Sequence, residues 1–72
     1  MYLLVLDYLR NLGKERVSKR FVRDLIYRVG KDYKVKLKSK DVSAIISKLK
    51  EERVIIPVDC YYLINTKTLY IS

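Results

Sequence analysis

The 72-residue chain contains no histidine, glutamine or tryptophan, and it has one cysteine, one proline and two glycines. Each shortage removes a class of function. Without histidine or a glycine-rich phosphate loop, and with no Ser, Thr or Cys beside an evident general base, hydrolase and transferase chemistry lacks its parts. The expectation is a protein that is not an enzyme. Cys60 alone cannot form an intramolecular disulfide or a zinc site, so it reads as a small packed hydrophobe in a reducing, cytoplasmic interior. Asp41, Glu51 and Glu52 fall at the ends of a helical segment, where carboxylates serve the dipole and solubility, so no metal and no cofactor is expected. The apolar run Tyr2–Leu6 lacks a basic lead-in and is interrupted by Asp7 and Arg10. It is too short to span a bilayer, and neither a signal segment nor a membrane partner is expected.

What remains is a packed chain. Half of its residues are apolar, which suits one globular domain over residues 1–72 rather than a disordered basic tail. A domain of this size buries only about 60% of the surface its unfolded chain exposes, so the core is thin. The charge is unevenly placed. Residues 14–40 hold eleven Lys and Arg against Glu15, Asp24 and Asp32, which accounts for the entire net charge of +8. Residues 1–13 and 41–72 each balance to zero. A localised positive field of this kind finds its natural partner in a polyanion, with phosphate backbones foremost.

Periodicity predicts three helices. Tyr2, Val5, Leu6, Tyr8, Leu9 and Leu12 share one side of a helix over 2–12, closed by Gly13 in a left-handed cap. Leu3 and Leu4 point away from that stripe and are candidates for a partner contact, or for cover by the C-terminal segment. Ser18 is the expected N-cap of a second helix, with Val17 and Val22 as a hydrophobic staple and Gly30 at its end. Its outer face carries Lys19, Arg20, Arg23 and Tyr27. Tyr33, Val35 and Leu37 alternate with Lys34, Lys36 and Lys38, which predicts a half-buried strand over 31–38. Ser39 is the expected cap of a third helix ending near Arg53. Val42, Ile45, Ile46 and Leu49 face inward, while Lys40, Ser43, Ala44, Ser47 and Lys48 face out. The remainder is rich in β-branched and aromatic residues and reads as two or three short strands. The turn is expected at Asn65–Thr68 between strands at about 60–65 and 68–71, with Asp59–Cys60 as the competing turn.

Helix, capped helix, capped helix and apolar hairpin together resemble the winged helix-turn-helix family. The segment from Ser39 through Lys-Leu-Lys-Glu-Glu-Arg-Val-Ile-Ile at residues 48–56 carries most of the likeness. The resemblance implies an α+β domain of three helices with a C-terminal β-hairpin wing. It further implies that the third helix enters the major groove of double-stranded DNA, with Lys40, Ser43, Ala44, Ser47 and Lys48 facing the groove. Lys67 would sit at the wing tip against the flanking backbone, and Lys19, Arg20, Arg23, Lys34, Lys36 and Lys38 would anchor phosphates. Because such sites are often palindromic, a homodimer through Leu3 and Leu4 is implied. The chain departs from the pattern in its long link between the second and third helices. It departs also in a third-helix face without Arg, Asn or Gln, the commonest base readers. The absence of Gln and Trp beside plentiful Ile, Val, Tyr and Lys resembles the usage of thermophiles. The function this implies is a small transcriptional regulator of archaeal or archaeal-virus type, located in the host cytoplasm if viral. The competing reading is a winged-helix module that docks onto a protein complex or binds ribosomal RNA. A ribbon-helix-helix dimer is a poorer third choice, because the run after Arg53 is strand-like.

Overall fold

The computed structural model describes residues 1–65, 67 and 68. Chain order is α1 (Tyr2–Leu12), β1 (Arg16–Ser18), α2 (Lys19–Asp32), α3 (Ser39–Glu51), β2 (Ile55–Val58) and β3 (Tyr61–Ile64). Three helices pack on a small antiparallel sheet of strand order β1-β3-β2. This is an α+β domain with a C-terminal hairpin, and its topology is consistent with a winged helix-turn-helix.

α1 has the predicted bounds, and Gly13 closes it at φ 69°, a conformation that costs a residue without a Cβ nothing. Ser18 caps α2 as expected, its hydroxyl accepting from the Phe21 N–H at 3.0 Å. Ser18 is also the last residue of β1, a strand that pairs Val17 with Tyr62 and ties the first loop into the sheet. Val17 and Val22 both join the buried cluster formed by Val5, Leu9, Ile26, Val29, Val42, Leu49 and Ile55. Burying each such side chain is worth roughly 1.5–3 kcal/mol, which is what offsets the ordering of so short a chain.

Gly30 does not end α2. The helix continues to Asp32 and closes through a Schellman motif: the Val35 N–H donates to the Gly30 carbonyl at 2.7 Å and the Lys34 N–H to that of Lys31 at 3.2 Å. Lys34 takes the left-handed position at φ 56°, where glycine is the usual choice. Gly30 serves close packing instead: a Cβ there would lie 2.7 Å from Leu37 Cδ1 and 3.1 Å from the Val35 carbonyl oxygen. The predicted strand over 31–38 is therefore replaced by a helix end and an irregular connection. Only Leu37 turns inward, while Tyr33 and Val35 are exposed.

α3 repeats the device. Its N-cap is Lys38 rather than Ser39, with the Lys38 N–H donating to the Asp41 carboxylate at 3.0 Å. At its other end the Val54 N–H reaches the Leu49 carbonyl, the Arg53 N–H reaches that of Lys50, and Arg53 sits at φ 58°. The hairpin then turns at Asp59–Cys60, not at Asn65–Thr68, since Val58 pairs directly with Tyr61. Asp59 adopts φ 47° there, and Cys60 is exposed rather than packed. Asn65 instead accepts the Thr68 N–H with its side-chain oxygen at 3.4 Å, and Lys67 and Thr68 are helical. The rest of the strand expected at 68–71 lies outside the described residues. Pro57 falls on β2, an edge strand. The Asn65 N–H donates to Val54, so alternation along the ladder puts Pro57 opposite Tyr62 in a pair that exchanges no bonds. Its nitrogen faces the open edge and the hairpin loses nothing.

Candidate nucleic-acid interface

α3 is held by its inner face. Val42, Ile46 and Leu49 are buried and Ile45 is half-buried against the same cluster. The 3.6-residue period then leaves Lys40, Ser43, Ala44, Ser47 and Lys48 on the far side, and all five are exposed. The middle of this face is made of two hydroxymethyl groups and a methyl, so a flat or grooved surface can approach the helix backbone closely. Lysines stand at both ends. Lys40 is free to reach outward, whereas the Lys48 ammonium lies 4.6 Å from the centre of the Tyr2 ring on α1. Partial burial, and then the Glu52 carboxylate, push the Tyr2 phenol above its ordinary value, so it remains a neutral seat for that cation.

The basic residues of α2 divide by what they touch. Arg23 donates to the Ser39 hydroxyl at 2.8 Å and so pins the start of α3 against the flank of α2. Arg20 pairs with Asp24 one turn on at 4.0 Å, an exposed contact of little energetic weight that still shares its charge. Lys19, from the first turn of α2, and Lys50, near the end of α3, both lie over the Tyr62 ring at 5.7 and 5.6 Å. Lys14 lies over Phe21 and Arg16 over Tyr61 at similar range. Cations held over rings in this way have given up part of their rotamer freedom before any partner arrives.

The structure brings Arg23, Lys38 and Lys40 together around the first turn of α3, with Lys34 and Lys36 on the connection leading into it. It does not bring Lys67 to the hairpin tip, which is Asp59–Cys60 and carries an acid. Nor are Leu3 and Leu4 equivalent: Leu3 is 75% exposed, while Leu4 packs against the core. Two residues near this surface escaped the sequence reading. Lys31 lies one turn beyond Tyr27 on the exposed face of α2, a signal that the misplaced helix end at Gly30 concealed. Lys50 meets Tyr62 only through the sheet, and no local pattern announces that.

Among the described residues no helix is long and apolar enough to cross a membrane. No known protein family, curated protein or solved structure matches the chain significantly, and the likeness to the winged helix-turn-helix rests on element order and sheet topology.

Proposed function

We propose that this domain binds double-stranded DNA, laying α3 in the major groove as a small transcriptional regulator would. The observation that carries the reading is the exposed face of α3, short at Ser43, Ala44 and Ser47, whose first turn is flanked by Arg23 and by Lys34, Lys36 and Lys38 of the connection. A docking surface for protein would instead show aromatic, Met or Leu anchors there. Lys19, Arg20, Arg23, Lys34, Lys36 and Lys38 supply phosphate contacts that fix register, and Lys40 is the side chain best placed to reach a base edge. With neither Arg nor Asn on the face, sequence is read mainly through water and DNA shape. The hairpin takes a smaller part than the family pattern implies, because Asp59 at its tip repels the backbone. A homodimer on a palindromic site would use Leu3 rather than Leu3 with Leu4.

The test is a salt series. Neutralising about 4–6 phosphates gives a log–log slope of affinity on salt of roughly −4 to −5 for random duplex DNA. A flat response would remove the phosphate role altogether. A steep response with structured RNA but not with duplex DNA would favour the ribosomal-RNA reading.

A further inference from the structure

Beside α3, two of the lysines assigned to duplex phosphates border apolar surface that a duplex does not require. Tyr27 and Lys31 on α2 and Lys34, Val35, Lys36 and Leu37 on the connection line one shallow depression. Three of the six are lysines and none is acidic. Asp32, the acid nearest in sequence, accepts instead from the Tyr8 hydroxyl of α1 at 2.7 Å. Apolar surface is open among these cations: Tyr27 is 38% and Val35 45% exposed. Arg23, Tyr27 and Lys31 follow one another at four-residue spacing along α2, and Arg23 is fastened to Ser39. The depression therefore continues the surface around the first turn of α3.

A duplex backbone offers phosphate and sugar, to which an exposed ring and a valine add little. An unpaired nucleotide offers phosphate together with a flat apolar base, and a ring flanked by lysines matches both. We propose that this depression is a subsite for an unpaired nucleotide, so that the domain binds a duplex with a single-stranded extension more tightly than a blunt one. The phosphate sits among Lys31, Lys34 and Lys36, and the base stacks on Tyr27. This rests on the assignment of α3 to the groove only for the duplex part of such a ligand; the single strand shares Lys34 and Lys36 with the duplex phosphates and adds Tyr27 and Lys31.

Three fluorescent probes test it by anisotropy: a blunt duplex, the same duplex with a short single-stranded extension, and the extension strand alone. The extension is expected to tighten binding about tenfold. Tyr27→Leu, which keeps the apolar cover but has no π face, should erase that gain and leave the blunt duplex unchanged, whereas Tyr27→Phe should retain it. Lys31→Ala with Lys36→Ala should weaken the single strand. The proposal is overturned if the extension brings no gain, or if a folded Tyr27→Leu protein loses affinity for blunt and extended duplex alike. A different pattern would sink the groove assignment while supporting the subsite: blunt-duplex binding indifferent to Ser47→Glu, with the single strand still sensitive to Tyr27→Leu.

Discussion

Residues 14–40 and residues 41–72 offer a partner different things. The first stretch carries the whole net charge, most of it on α2 and the connection after it, yet little of its exposed surface is shaped to fit anything regular. The second is neutral, yet it supplies most of α3, with the short exposed side chains Ser43, Ala44 and Ser47. Charge attracts any polyanion and fades with salt; shape discriminates among them and does not. On the proposed function, affinity would come mainly from the first stretch and selectivity from the second, with the Arg23–Ser39 hydrogen bond fixing α2 to the start of α3.

The largest effect should come from spoiling shape alone. Ser47→Glu adds bulk and a negative charge at the centre of the exposed α3 face, touches no buried residue, and should abolish specific duplex binding while circular dichroism stays native. Retained binding by the folded variant would take α3 out of the groove. Next, Leu49→Ala removes a fully buried side chain beneath the same face and should cost about 2–5 kcal/mol in denaturant unfolding. A neutral result would mean that α3 is not seated by its apolar stripe. Spoiling charge alone should be milder: Lys34→Ala with Lys36→Ala should weaken all duplex sequences similarly and make the salt slope shallower by about two units. Sequence-selective loss would instead show that the connection reads bases. The smallest effect belongs to Tyr8→Phe, remote from both halves' outer faces. The hydrogen bond to Asp32, chiefly, holds the Tyr8 phenol above its ordinary range. The stability it contributes is complete below the ordinary phenol value of about 10 and is lost as pH rises through the raised folded value. Melting temperatures of the two proteins should differ slightly at neutral pH and converge under alkaline conditions.

Legibility in the sequence followed the range of the forces involved. α1, its glycine cap and the Ser18 cap are decided within four or five residues, and their positions were predictable. So were the inner and outer faces of α3, because a single helical period fixes both. β1 escaped notice because three residues with one apolar centre resemble any loop, and they become a strand only when β3 lies beside them. The alternation of Tyr33, Val35 and Leu37 suggested a strand, but no neighbouring strand takes its hydrogen bonds, and the Schellman closure at Lys34 bends the chain first. Gly30 misled for a related reason: its missing side chain accommodates Leu37, a tertiary cause that local rules translate into a helix stop. The wing was misplaced between two turns that both had suitable residues. Asp59–Cys60 prevailed because it lets β2 and β3 pair over four residues each, with Ile55, Tyr62 and Ile64 all turned inward. Among the candidate site residues, those on α3 kept their face, while Lys67 depended on the hairpin register and moved with it.

Pro57 has a consequence for the protein in quantity. A sheet grows by recruiting another chain's backbone to a free edge, and β2 offers such an edge with a missing donor at its centre, while β1, on the opposite side, is only three residues long. Neither side templates a neighbouring strand well. Copies at high concentration should therefore remain discrete particles rather than fuse into fibrils, and Pro57→Val, which restores the missing donor on that edge, should favour that process.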